Sequence, residues 1–261
     1  FVSVCDLLLS NRYYLYGEIL MIGTLINVVA ILIGTALGTL IGSRIPGRTR
    51  TLVTDALGLV SFLAAAGAAS AMWNADFVKA VGEGWPILVV LGSLLIGGLI
   101  GSAFRIEDRL NGLGKVLERK FSKPDDGNFV AGFVSASLIF CVGPMAILGS
   151  ISDGLGEGNS LLILKSVMDG FAAIAFAAAL GWGVAASALS VLVYQGAWSA
   201  VGFALGAVLA EYQIAAMTSV GGMLLIGIGM RLLNIKIIAI GDLLPALAIA
   251  PLLAVLVANL H

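Results

Sequence analysis

Residues 129–151, FVAGFVSASLIFCVGPMAILGSI, decide the fold. The stretch holds no charged residue and is slightly longer than the ~20 residues a helix needs to cross the hydrocarbon core of a bilayer. It is apolar on every side, where a surface helix of a soluble domain would show one polar face. The bilayer is its expected solvent. Seven more stretches of the same kind flank it: Leu20–Ile45, Thr51–Trp73, Pro86–Phe104, Leu161–Gly183, Val184–Ala210, Ile214–Asn234 and Ile237–Leu260. The predicted fold is therefore an all-α polytopic membrane bundle of about eight spans.

Composition agrees. Of 261 residues, 60% are hydrophobic and 11% are charged, against roughly 45–50% and about 25% in soluble domains. So few charges cannot cover the surface of a water-soluble globule of this size. A net charge of −1 gives no reason to expect a nucleic-acid partner. Cys5 and Cys141 are far apart, and the single histidine is His261. A zinc site, a disulfide framework and a Ser-His-Asp hydrolase are all disfavoured, so neither an enzyme nor a bound cofactor is expected. There is no GxxxxGK[ST] string, which excludes direct drive by ATP within this chain.

Basic residues predict orientation. Arg44, Arg48 and Arg50 fall in the first connection. Arg105, Arg109, Lys115, Arg119, Lys120 and Lys123 fall in the third, and Arg231 and Lys236 in the seventh. Eight single crossings bring all of these to one side, the expected cytoplasmic one, and put both termini outside. The opposite connections carry Lys79 among Asp76, Glu83, Asp153, Glu157 and Glu211.

Within the third connection, Leu110, Leu113, Val116 and Leu117 recur at helical spacing along the charged stretch Ile106–Phe121. This predicts an amphipathic helix on the cytoplasmic interface. KPDDGN at Lys123–Asn128 then breaks the chain. The expected organisation is an N-terminal extension at 1–20, which lacks an initiator methionine and should be peripheral, and one membrane domain at 21–261. Its halves, 21–122 and 128–261, are joined by the amphipathic helix and linker. Glycines at four-residue spacing (Gly34, Gly38 and Gly42; Gly97 and Gly101; Gly202 and Gly206) and the likeness of ALGTLIG at 36–42 to ALGAVLA at 204–210 admit two readings. One is an inverted repeat of spans one to three against six to eight; the other is the small-residue packing common to membrane helices. The glycine-rich faces also suit a homo-oligomer.

Several strings then converge: GTLINVVAILIG at Gly23–Gly34, SLIFCVGPMAILGSISDGL at Ser137–Leu155, LKSVMDGFAAIAFAAALGWGV at Leu164–Val184, VLVYQG at Val191–Gly196 and DLLPALAIAPLL at Asp242–Leu253. Together they closely resemble the prokaryotic multi-pass family known as domain of unknown function 554, from Met21 onward. The resemblance implies an inner-membrane protein with this core and supplies no activity.

Candidate functional residues follow from polarity at membrane depth. Asp169 lies well inside the fifth span with Lys165 one turn earlier. A charge at that depth costs roughly 2.5–3.5 kcal/mol on insertion scales and must face protein or water. Spacing of four lets the two pair, either as a cation or proton site or as a structural lock. In Phe140–Met145, FCVGPM, the sequence Gly143–Pro144 breaks the helix ladder and frees backbone carbonyls. Cys141 and Met145 are four apart and could present two sulfurs to a soft metal, although such residues usually pack. Whether any metal binds is left open. Gln195, beside Gly196, can line a path or join helices, and Asn27 reads as a helix-joining amide. Asp153 and Glu157 form an acidic outer vestibule or an ordinary solvated turn. Asp55 and Asp242, near membrane edges, read as structural. The expected function is a gradient-driven secondary transporter or permease for a small polar or cationic solute, seated between spans four and five and opened by motion between the halves. The alternative is a structural or assembly protein of the membrane.

Overall fold

A computed structural model of the chain describes residues 21–42, 44, 46–121, 128–156, 158–205 and 209–260. Expectations for residues 1–20, for the linker at 123–127, for Glu157 and for Gly206 lie outside the described residues. Every regular element among the described residues is helical. In chain order they are α1 (Ile22–Gly42), α2 (Gly47–Ala69) continued by a 3-10 turn (Ser70–Trp73), α3 (Ala75–Val81), α4 (Trp85–Phe104), α5 (Ile106–Phe121), α6 (Phe129–Val142), α7 (Pro144–Leu155), α8 (Ser160–Leu180), α9 (Gly183–Leu205), α10 (Glu211–Leu232), α11 (Ile240–Leu243) and α12 (Ala246–Ala258). Among the described residues seven spans are helices long and apolar enough to cross a membrane, the last being α11 and α12 taken together, and α6 with α7 makes an eighth bent by 63°.

The bent pair is one broken span, because its two ends lie at opposite ends of α8. Gly132 near the start of α6 sits against Leu180, the last residue of α8, and Phe129 meets Gly183 just beyond it. Gly149 in α7 packs instead on Leu161 and Leu162 at the start of α8. The two pieces together cover the thickness that α8 covers alone. The GWG junction is a tight turn, with Gly181 at φ +82, a conformation open to glycine without strain.

Contacts fix the directions of the spans. Along α1, Gly23, Gly34, Gly38 and Gly42 meet α8 at Leu162, Gly170, Ile174 and Ala178 in turn, so the two helices run parallel. Spans one and five must run the same way if each segment crosses once, as the charge pattern requires. By contrast α2 runs antiparallel to α10 (Gly58 on Leu233, Ala65 and Ala69 on Gly222), and α4 antiparallel to α12 (Gly97 on Ala246, Gly92 on Leu253). The putting-together of ends brings the basic first, third and seventh connections to one side.

Three of these interfaces cross between the expected halves: α1 with α8, α2 with α10 and α4 with α12. The halves are interlocked, and rocking one rigidly against the other would break all three. In the glycine pattern, α1 uses Gly34 and Gly38 against α8, while Gly202 of α9 meets Ile151 of α7. The two glycine-rich helices therefore flank the hairpin formed by the broken span and α8.

At the basic end, α5 is docked by a reciprocal set of bonds. The Glu107 carboxylate accepts Arg231 Nη1 at 2.7 Å and the Gly241 N–H at 2.8 Å, and its own N–H donates to Asp242 Oδ1 at 2.9 Å. Asp242 is structural, as expected, in a role an asparagine oxygen could also fill. Leu110 and Leu117 of α5 pack toward the core, whereas Leu113 and Val116 stay exposed, as an interfacial helix requires. Lipid-facing leucines of α1, α2 and α4 are exposed, and Trp73, Trp85 and Trp182 mark span ends, where indole rings favour the interface.

Candidate functional site

On α8 the buried residues Leu162, Lys165, Ser166, Asp169 and Ala173 recur at steps of three and four and so form one face. On α1 the buried face is Gly23, Thr24, Asn27, Ile31 and Gly34. A side chain at Gly34 would collide with the Gly170 carbonyl, so glycine there is what lets these faces touch. Close approach places Asn27 within bonding range of the acid.

Lys165 Nζ donates to Asp169 Oδ2 at 2.5 Å, and Asn27 Nδ2 donates to the same oxygen at 2.9 Å. Neither bond engages Oδ1. Asp169 is 7% exposed and Lys165 5%. Their mutual attraction offsets much of the cost of burying two charges, and the Asn27 amide adds a charge-assisted bond. Asp169 lies near the midpoint of α8, so this net-neutral cluster sits at mid-membrane depth.

The break between α6 and α7 faces the cluster from another side. Gly143 is extended (φ −73, ψ 143), and Cys141, buried just before it, lies within electrostatic reach of Lys165 and Asp169. One expectation is corrected here. Cys141 ends up in α6 and Met145 in α7, across the bend, so their spacing of four no longer puts both sulfurs on one helical face. The argument for a soft-metal pair loses its geometric basis. Among the described residues there is also no group of three or more His, Cys, Asp or Glu side chains placed to hold a metal. Pro144 opens α7, where its missing N–H costs nothing.

Gln195 lies midway along α9, fully buried, and neither its oxygen nor its nitrogen has a partner. One turn further, Ser199 is likewise buried with its hydroxyl unpaired. Asn27 Oδ1 and Thr24 Oγ1, also one turn apart on α1, Thr35 Oγ1 two turns further along α1, and Asp153 Oδ2 on α7 are the other such atoms among the described residues. Buried polar groups are nearly always hydrogen-bonded, because an unmade bond costs about 1–3 kcal/mol each. Their concentration on α1, α7 and α9 is the unusual feature of this molecule.

Asp153 is the second correction. It belongs to α7 and is 8% exposed, which is neither an open vestibule nor a solvated turn. Its carboxylate faces the backbone N–H groups of Gly23 and Thr24 at the start of α1, and Oδ2 has no partner. Burial follows from glycine on its C-terminal side: Gly154 presses on the backbone of Ser199 where α7 crosses α9.

The structure therefore gathers Asn27, Cys141, Lys165 and Asp169 between α1, α6 and α8, while Gln195 is buried midway along α9. Asp153 stands apart, toward the end of the bundle opposite the basic connections. The helix-joining reading of Asn27 agrees with its bond from α1 to Asp169 of α8. The buried, unpaired Thr24 and Ser199 were not singled out, being too common in membrane helices to be noticed. The available signal was their spacing: Thr24 and Asn27 share a face with the glycines of α1, and Ser199 follows Gln195 by four.

The family model described as protein of unknown function (DUF554) matches residues 22–255. The uncharacterized membrane protein YdfK of Bacillus subtilis (strain 168) is 31% identical over 231 residues, which cover 88% of this chain and 94% of the relative. The uncharacterized protein YqgA of Escherichia coli (strain K12) is 31% identical over 244 residues, covering 88% of this chain and 95% of the relative. No solved structure matches the chain.

Proposed function

The chain belongs to the DUF554 family of multi-pass membrane proteins, and from that premise we propose that it is a secondary transporter or permease for a small polar or cationic solute. The solute site lies between the broken fourth span and the fifth, with Asp169 as its central charge. In this reading the protein sits in the cytoplasmic (inner) membrane, with the basic connections inside and both chain ends outside. It carries solute without covalent chemistry, and a gradient supplies the driving force.

The observation that carries the reading is a buried charged cluster beside a broken helix, with unpaired buried polar atoms on α1 and α9. Asn27 Oδ1, in the second turn of α1, and both polar atoms of Gln195, midway along α9, have no protein partner. A bound solute with donors and acceptors would satisfy them, and irregular backbone at membrane depth is tolerated where it lines such a site. The Lys165–Asp169 pair stays neutral when the site is vacated, so no bare charge crosses the bilayer. Because the halves interlock, access arises from α7 swinging about Gly143.

One observation favours the structural alternative: Asp169 already has two protein donors. Flux in liposomes separates the two. Purified protein, screened for uptake and release of small polar and cationic solutes, should carry at least one of them. The neutral double variant Lys165→Met with Asp169→Asn should keep its elution profile and melting behaviour yet lose that flux. A double variant that transports at the wild-type rate overturns the proposal.

A further inference from the structure

The reading above leaves a second buried acid unused. Thr24 of α1, Asp153 of α7 and Ser199 of α9 converge where three helices meet near the outer end of the bundle. The contacts that bring them together are the Asp153 carboxylate on the Gly23 and Thr24 amides, Gly154 on the Ser199 backbone, and Met21 on Gly196. All three side chains are more than nine-tenths buried, and each has an oxygen without a partner: Thr24 Oγ1, Asp153 Oδ2 and Ser199 Oγ.

We propose that these three oxygens bind a small hard monovalent cation, with sodium as the physiological class, and that it is the coupling ion of the transport cycle. The coupling role rests on the transporter reading; the ion site does not. Charge argues for a cation. Among the described residues Asp153 forms no salt bridge, and the only compensation is the positive end of the α1 helix, which offsets part of one charge. A bound monovalent ion makes the junction neutral.

Ligand chemistry argues for a hard ion, since the donors are one carboxylate and two hydroxyls with no sulfur or imidazole. A single carboxylate argues against calcium, which gathers several together with six to eight oxygens. Neither hydroxyl is bonded to Oδ2, so all three oxygens keep a lone pair free for an ion.

Position argues for coupling. Thr24 is one turn from Asn27 and Ser199 one turn from Gln195, so each helix carries one polar step, ~5–6 Å along its axis, from the ion layer to the solute layer. α7 joins the layers through Asp153 at one end and the Gly143 break at the other. Ion occupancy would hold α7 against α1 and α9 and so set when the solute layer opens.

The experiment is thermal unfolding of the full-length protein in detergent, with sodium chloride exchanged for choline chloride at constant ionic strength. The midpoint should rise saturably by several degrees with sodium, and much less with potassium. Asp153→Asn should abolish the rise, and Ser199→Ala should raise the half-saturating sodium concentration at least fivefold. If Asp153→Asn does not fold, the Ser199→Ala shift alone decides. The rise should persist in the Lys165→Met, Asp169→Asn double variant. Sodium stabilisation without any solute flux would leave the ion site standing and remove the transporter reading. Flux with no sodium effect, or a midpoint that follows pH but not sodium, overturns the ion site and leaves the solute site untouched.

Discussion

Asn27 and Asp169, 142 residues apart, are joined by a hydrogen bond of 2.9 Å at the centre of the bundle. The bond ties the first span to the fifth and gives the buried acid a second donor beside Lys165. It exists because glycines along α1 remove the side chains that would keep the two helices apart. The experiments below follow from this junction and its surroundings.

Removing one charge of the pair should be worse than removing both. Lys165→Met leaves Asp169 buried with Asn27 as its remaining donor, and breaking a buried pair on one side costs about 3–5 kcal/mol. The neutral double variant should recover most of the lost midpoint in detergent melts. A double variant no more stable than the singles would show that the charges do not compensate each other.

Gln195→Leu offers a sharper test of purpose. Because both amide atoms of Gln195 lack partners, an apolar side chain of similar size should leave stability unchanged or raise it slightly. Solute flux should fall at least tenfold. Unchanged transport in a stable variant would take Gln195 out of the path.

Close packing of α1 on α8 makes its own demand. Gly34→Val places a branched side chain against the Gly170 carbonyl, and overpacking of this kind costs about 1–3 kcal/mol or more. Gly67→Ala, which meets nothing within 4 Å, should be neutral in the same melt. Equal behaviour of the two would contradict the parallel α1–α8 interface.

The bond set around Glu107 should contribute to stability without touching transport chemistry. Glu107→Ala strips an acceptor from both Arg231 and the Gly241 N–H. The expected loss is about 1–3 kcal/mol, moderated because the Arg231 side chain is partly exposed. A double-mutant cycle with Arg231→Met should show coupling between the two positions.

Sidedness can be read by labelling. With Cys5 and Cys141 replaced by serine, Lys115→Cys should react with an impermeant maleimide only from the cytoplasmic face, and Lys79→Cys only from the outer face. Labelling of both from one face would refute the proposed orientation.

How much was legible in the sequence depends on the range of the interaction. The eight spans, the amphipathic α5, the break at Gly143–Pro144 and the two-sided sorting of charge were all readable. Each rests on local chemistry: apolar length against bilayer thickness, helical periodicity, a missing amide proton, and charge at span ends. The Lys165–Asp169 pair was readable for the same reason, being one turn apart on one helix.

What needed the tertiary structure was every relation between helices. That α1 lies parallel to α8, that the halves interlock, and that Asn27 reaches Asp169 depend on which glycine faces meet, and glycine spacing is the same whichever partner it serves. The spacing of Cys141 and Met145 misled because a 63° bend intervenes, and the sequence marks a break without giving its angle. Asp153 misled because its distance from the basic clusters says nothing about whether α1 and α9 close over it. Local composition determined that the chain is a membrane bundle; three-dimensional packing alone decided which polar atoms were left without partners, since satisfaction is a property of neighbours and not of residues.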